Sequence, residues 1–297
     1  MAFNWQTFRT RAGTAVIFVI VMLGGLLWNK WSFFALFTLV HFGAWVEYGR
    51  LVEKFNPDYA RIGPLHRYGV MIGGWCAMLF FTNGELQAGA FPLAEAGLWG
   101  GIAFALLLPV AMVLESRSLF LKNIGYSLFG LLYISLALAL LMDLRQHSLE
   151  FDLQHFGRDQ YWGLQPSLFL VLFLIVSIWI NDTMAYIVGS LVGKTPFSPI
   201  SPKKTWEGTI GGAILCVVVM SVIANSAGFP LLLGIGTSLL AAVVGTLGDL
   251  FESKLKRMAG VKDSGQLMPG HGGFLDRFDS LIVAVTAVWI FVWVTRL

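Results

Sequence analysis

Long apolar runs, broken by short polar connections, set the pattern of this chain. Runs bounded by charges or by Gly and Pro clusters predict nine helices, at roughly 12 to 28, 31 to 50, 67 to 83, 94 to 114, 122 to 143, 167 to 190, 208 to 226, 230 to 250 and 279 to 296. A hydrocarbon core about 30 Å thick takes about 20 apolar residues per helix, and several runs reach that length. Only helices and closed barrels satisfy their backbone groups in lipid. The pattern therefore predicts an all-α, polytopic integral membrane protein with about nine transmembrane helices. An odd count puts the termini on opposite sides. Arg9 and Arg11 precede the run from Thr14 to Trp28 in the manner of a signal peptide. A second run opens at Trp31 with no small-residue cleavage site before it, so an uncleaved first helix is expected.

Composition agrees. Hydrophobic residues make up 57% of the chain and charged residues 12%, against about 25% charged in an ordinary globular domain, and the mean hydropathy is +0.73. A net charge of +3 is too small to point to a nucleic-acid partner, and none is expected. Cys76 and Cys216 each fall inside an apolar run, with neither disulfide nor metal spacing, and read as packing residues. The placement of the basic residues says more than their sum. With the N-terminus cytoplasmic, all of the 20 Lys and Arg residues except Lys30, Arg145, Arg158 and Arg296 fall on the cytoplasmic side. Some of those between Lys194 and Arg277 serve chemistry rather than topology, yet leaving them out keeps the bias. The expected location is an integral membrane one, the cell (inner) membrane if the chain is bacterial, with the C-terminus outside and the active site facing the cytoplasm.

The chain divides in character. Residues 1–160 carry few ionisable groups within their runs and read as a transmembrane scaffold, whereas residues 161–297 are joined by polar cytoplasmic loops and read as the catalytic region. Glu47 is expected to pair with Arg50, three residues on. His41, nearer mid-run, is placed to hydrogen-bond a neighbouring helix or to line a cavity. The longest outside connection, Arg145 to Pro166, mixes His147, Glu150, Asp152, His155, Arg158 and Asp159 without metal-like spacing and reads as solvated. Gly245 with Gly248, and Gly208 with Gly211 and Gly212, permit close helix contacts, either within one chain or in a homodimer.

Dense polar chemistry is confined to a few places. Asp182, next to Asn181, lies deep in the run from Leu168 to Val192, where an ionised carboxylate is costly and marks a functional site. The triplet Gly193, Lys194, Thr195 has the look of a phosphate loop. That motif requires a Gly at position 188, where Val stands, and Pro196 follows at once, so the fingerprint is rejected. In the segment SPKKTWEG, from Ser201 to Gly208, Lys203 and Lys204 are adjacent cations suited to a polyphosphate, to anionic headgroups or to topology alone. The richest stretch runs from Asp249 to Asp279. Asp249, Glu252 and Lys256 fall at i, i+3 and i+7 and share a face if the eighth helix continues beyond the apolar run. Lys262, Asp263 and then Pro269, Gly270, His271, Gly272 and Gly273 follow, the glycines allowing backbone amides to approach a ligand. Asp276 and Asp279 lie one turn apart at the start of the ninth helix. Carboxylates at two helix ends with cations between them suit Mg²⁺ held by acid oxygens and phosphates neutralised by bases.

These residues carry a resemblance. Ser253, Lys256, Arg257, Lys262, Asp263, Gly265, Pro269, His271, Gly272, Gly273, Asp276, Arg277 and Asp279 resemble the signature of the phosphatidate cytidylyltransferases, or CDP-diacylglycerol synthases. The pattern departs only at Met268, where Leu, Ile or Phe is expected. Asp182 and the SPKKTWEG segment resemble the same family. The resemblance implies Mg²⁺-dependent transfer of a cytidylyl group from CTP to phosphatidate drawn from the bilayer. On that footing Asp249 and Asp276 are the first choices for the metal, with Asp263 and Asp279 second. Lys256, Lys262, His271 and Arg277 would face the triphosphate in catalysis. Lys203, Lys204, Arg257, Asp182 and the amides of Gly272 and Gly273 would bind substrate. Two other functions compete. A relative acting on a polyprenyl or ether-lipid phosphate would share the CTP residues and differ in its apolar wall. An ion-coupled transporter would spread charges along several runs and show related halves, and neither feature is visible.

Overall fold

A computed structural model of the chain describes residues 5–115, 121–146, 160–266 and 272–295. His271, with Met268, Pro269 and Gly270, lies outside the described residues, as do Arg117, Arg296 and the 147–159 part of the outside connection. Every apolar run expected to be helical is helical. The helices are α1 (Trp5–Leu27), α2 (Lys30–Phe55), α3 (Pro64–Phe80), α4 (Leu93–Glu115), α5 (Leu121–Gly130), α6 (Ala137–Gln146), α7 (Pro166–Val192), α8 (Trp206–Ala227), α9 (Leu231–Met258) and α10 (Leu275–Val294). A π-helical turn over Leu131–Leu136 joins α5 to α6 in one continuous stretch. Among the described residues, six helical stretches are long and apolar enough to cross a membrane: Leu93–Val110, Lys122–Arg145, α7, α8, α9 and α10. The protein is an all-α polytopic integral membrane protein.

The residues gather into two compact units, Met1–Ala139 with Leu255–Phe278, and Leu140–Lys254 with Asp279–Leu297. In the first unit, α2 starts at a capping box, in which Asn29 accepts from the Ser32 amide and Ser32 accepts from the Asn29 amide. Its buried stripe includes Phe33, Phe37, His41, Trp45 and Tyr48, a helical spacing. His41 meets Ser135 of the π turn at 2.9 Å, and the Trp45 indole donates to the same oxygen at 2.8 Å. Of the two roles open to His41, the hydrogen bond to a neighbouring element is therefore the one found. Small residues bring α3 and α4 together, since a Cβ at Gly97 would lie 2.2 Å from the Phe80 amide nitrogen. Cys76 is buried in this contact, a packing residue as expected.

In the second unit, α7 and α8 are joined by a hairpin of β3 (Pro196–Ser198) and β4 (Ser201–Thr205), which pair antiparallel. The sequence predicted only a loop here, because Pro196, Pro199 and Pro202 mask a short strand signal. Thr205 caps α8 by accepting from the Gly208 amide at 3.2 Å, and Gly228, at φ +72°, ends it in the left-handed conformation. Of the glycines expected to allow close contact, Gly208, Gly211, Gly212 and Gly248 do so within the chain, while Gly245 makes only ordinary van der Waals contact. A Cβ at Gly208 would lie 2.8 Å from the Ala185 carbonyl, one at Gly212 would lie 2.7 Å from the Ala185 backbone, and one at Gly248 would lie 2.6 Å from the Asp279 carbonyl. Such small-residue contacts replace the hydrophobic drive that helices lack in lipid. Arg145, expected to open a solvated connection, is instead buried at the end of α6.

Gly212→Ala is expected to push α7 from α8 and to cost about 1–3 kcal/mol. Gly125→Ala, where an added Cβ meets nothing within 4 Å, is expected to be neutral or slightly stabilising. Thermal unfolding of the two variants in detergent checks the contrast.

Candidate active site

Four elements of the second unit, α7, β4, α8 through Thr209, and α9, line a cavity of about 440 Å³, within the range of small-molecule sites. From α7 come Asn181 and Asp182, from β4 Lys203 and Lys204, and from α9 Thr246 and Asp249. Asp182, deep in an apolar helix, thus opens onto this cavity, with Lys203, Lys204 and Asp249 among its other lining residues. Lys204 forms an ion pair with Asp249, and Ser253, one turn on, donates to the other Asp249 oxygen at 3.3 Å. The Asn181 amide group donates to the Thr246 hydroxyl at 3.4 Å. Four residues that the sequence singled out in three separate segments, Asp182, Lys203, Lys204 and Asp249, therefore line one cavity. α9 runs on to Met258, so the condition for Asp249, Glu252 and Lys256 to share a helix face is met.

Glu207 sets the hairpin that carries the two lysines. Its carboxylate accepts from the Lys194 amide at 3.1 Å, from the Thr195 amide at 3.1 Å and from the Thr195 hydroxyl at 2.8 Å. The Gly-Lys-Thr triplet thus aims its amides at a carboxylate of the same chain, in keeping with the rejected phosphate loop. Glu207 also sits in the first turn of α8, where the helix dipole favours an anion. Nearby, Phe197 packs against Trp206 with ring centroids 4.4 Å apart.

The first unit holds a second polar cluster, around the connection from α9 to α10. One Asp276 oxygen accepts from Lys256 at 2.7 Å. The other accepts from the Gly273 amide at 2.7 Å, the Ser264 amide at 2.9 Å and the Ser264 hydroxyl at 3.0 Å. The Gly273 amide, read from the sequence as offered to a ligand, is turned inward onto Asp276. Gly272 has φ +81°, and a Cβ there would lie 2.4 Å from an Asp276 oxygen, so the turn requires glycine. Arg257 donates to the Val261 carbonyl at 3.1 Å. Lys262, Asp263 and Arg277 are exposed. Asp279, which belongs to the second unit, accepts from the Ser280 amide at 2.6 Å.

Glu47 corrects an expectation. It does not pair with Arg50, which is exposed. It is buried, and it accepts from the Ser264 hydroxyl at 2.7 Å and from the amides of Phe274 and Leu275 at 2.9 Å each. The start of α10 leaves N–H groups without helical partners, and a buried carboxylate requires donors, so each meets the other's need. The sequence signal was faint: an acid at the end of an apolar run, with an arginine at helical spacing that supplied an easier explanation.

A family model described as the cytidylyltransferase family matches residues 9–295. The chain belongs to the cytidylyltransferase family. The phosphatidate cytidylyltransferase of Haemophilus influenzae is 31% identical over 303 residues, covering 93% of this chain and 96% of its own. That of Synechocystis is 31% identical over 293 residues, covering 94% and 93%. Phosphatidate cytidylyltransferase 5, chloroplastic, of Arabidopsis thaliana is 41% identical over 138 residues, or 46% of this chain and 34% of its own. The clusters described above thus belong to a member of an enzyme family that transfers cytidylyl groups.

Among the described residues no three His, Cys, Asp or Glu side chains group as a metal cage. The cavity does offer the carboxylates of Asp182 and Asp249. That donor set fits Mg²⁺, which commonly takes one or two carboxylates and leaves its other positions to water and substrate phosphates.

Glu207→Ala is expected to speed hydrogen exchange at the Lys194 and Thr195 amides while leaving the rest of α8 unchanged. Exchange measured by mass spectrometry on the detergent-solubilised protein checks this.

Proposed function

We propose that this chain transfers the cytidylyl group of CTP to phosphatidate, giving CDP-diacylglycerol and pyrophosphate. The supporting observation is that Asp182, Lys203, Lys204 and Asp249 converge on one cavity in a chain whose relatives of matching length are named for this reaction. The lipid's phosphate oxygen attacks the α-phosphorus of CTP, the bond to the bridging oxygen of the β-phosphate breaks, and pyrophosphate leaves with that electron pair. Phosphate monoesters lose their second proton near pH 6, so the nucleophile is largely ionised and no strong protein base is required. Catalysis then rests on orienting two anions and cancelling their charge. Lys203 and Lys204 supply cations at the cavity, with Lys204 exchanging Asp249 for a phosphate oxygen. Asp249 is the first choice for Mg²⁺, which when bound neutralises phosphate charge, and Asp182 beside it is the second carboxylate. Lys256 and Asp276 order the α9–α10 connection, and the cations Lys262, His271 and Arg277 serve in neutralising phosphate charge.

The same proposal includes the topology. α2 is 26 residues long and buries its polar His41 and Glu47 in protein, which lets a helix of modest hydropathy span. Nine crossings follow, with a cytoplasmic N-terminus, an outside C-terminus and, in a bacterium, the inner membrane as its location. Residues 161–297 supply the cavity, and residues 1–160 act mainly as scaffold.

Purified protein incubated with labelled CTP, Mg²⁺ and a panel of lipid phosphates tests the function. Phosphatidate-dependent release of pyrophosphate is expected. Asp249→Asn and Lys204→Ala should each lower kcat/KM by about 10²–10³-fold while the protein still folds. Release driven only by polyprenyl phosphate, or none with any lipid, would overturn the assignment.

A further inference from the structure

The α9–α10 connection is tied at its base by a residue more than 200 positions away. Ser264 lies six residues beyond the end of α9 and Phe274 and Leu275 lie at the start of α10, and all three donate to the Glu47 carboxylate. The backbone closes around that carboxylate. A Cβ at Gly265 would lie 2.1 Å from a Glu47 oxygen, and one at Gly273 would lie 2.2 Å from the same oxygen and 2.3 Å from the other. One turn earlier on α2, Gly43 makes room for Phe274, whose ring would lie 2.2 Å from an added Cβ. α2 thus presents a notch for the Phe274 ring and an acceptor for the amides beside it.

Ser264 links this acceptor to Asp276. Its hydroxyl oxygen lies 2.7 Å from Glu47 and 3.0 Å from Asp276, and a hydroxyl has a single proton to give. The position of Glu47 therefore sets how Ser264 is shared, and with it the surroundings of the Asp276 oxygen that also binds the Ser264 and Gly273 amides. Bonds from N–H donors to a buried carboxylate are of the strong, charge-assisted kind.

We propose that Glu47 is a positioning residue for the α9–α10 connection, fixing the backbone of Ser264 to Leu275 and with it the set of the connection's cations on which CTP binding depends. The proposal rests on the function assigned above. Glu47 touches no substrate and acts through Ser264, Phe274 and Leu275. It follows that the region read as scaffold sets the geometry of the connection that carries Lys262, Asp263 and His271.

Glu47→Gln tests this best, because it keeps the shape of the side chain and with it the packing of α2. Its amide group must turn N–H toward a donor, losing at least one charge-assisted bond, a loss equivalent to roughly 10–100-fold in an equilibrium. Hydrogen exchange in peptides spanning Ser264 to Leu275 should rise about tenfold or more, with α7 and α8 unchanged. The KM for CTP should rise by a similar factor, and the KM for phosphatidate should stay within about twofold. Ser264→Ala, which removes one of the three donors, should show both effects more weakly. Glu47→Ala risks misfolding, so the Glu47→Gln and Ser264→Ala proteins are the ones that decide. Unchanged exchange in folded Glu47→Gln, or faster exchange with an unchanged KM for CTP, would overturn the positioning role. Faster exchange in a protein whose wild type does not turn over CTP with phosphatidate would retain Glu47 as the holder of the connection and reject the assigned function instead.

Discussion

A carboxylate set among apolar helices must find a cation or several hydrogen-bond donors, because its hydration is lost and nothing in lipid replaces it. This constraint orders the polar part of the molecule. Asp249 is met by Lys204 and Ser253, and Asp276 by Lys256, two amides and a hydroxyl. Glu47 is met by two amides and a hydroxyl, and Glu207, which is not buried, collects the same kinds of donor at the surface. Each acid thereby joins segments that are apart in sequence, so the cost of burying charge becomes a means of fixing loops that would otherwise have little to hold them.

Two kinds of partner serve two kinds of role. Glu47 and Glu207 are held by backbone amides and hydroxyls, which cannot leave without unmaking a turn, and these acids shape the protein. Asp249 and Asp276 are each paired with a lysine, a flexible point charge able to change partners. On the proposed function, the more open of the two pairs, Lys204 with Asp249, is where an anionic substrate enters by exchange, the ammonium passing from carboxylate to phosphate. In the cavity of α7, β4 and α9, that exchange would leave Asp249 and Asp182 as hard oxygen donors at the point where phosphate charge accumulates.

Much of this was legible in the sequence. The helices followed from apolar runs, because length and hydropathy are local properties. The residues of the cavity followed from their cost or clustering, Asp182 by its depth in an apolar run and Lys203 with Lys204 by adjacency. The β3–β4 hairpin was not legible, since three prolines hid its pairing. The role of Glu47 was hidden for a different reason. Its partners are mostly backbone amides, which every residue except proline carries and no sequence pattern marks, and the explanation nearest in sequence, Arg50, was the wrong one. Gly265 and Gly273 belonged to the family signature, yet their meaning as clearance for a carboxylate of α2 could only appear with the tertiary contacts. The inward turn of the Gly273 amide was missed on the same ground.

On the proposed function, the cavity lined by Asp182, Lys203, Lys204 and Asp249 receives the triphosphate, and Lys204 is released from Asp249 as it does so. A structure determined with CTP and Mg²⁺ present measures this directly. The expected result is the Lys204 ammonium within hydrogen-bonding distance of a phosphate oxygen and parted from Asp249. CTP bound outside this cavity, with the pair of Lys204 and Asp249 intact, would contradict it.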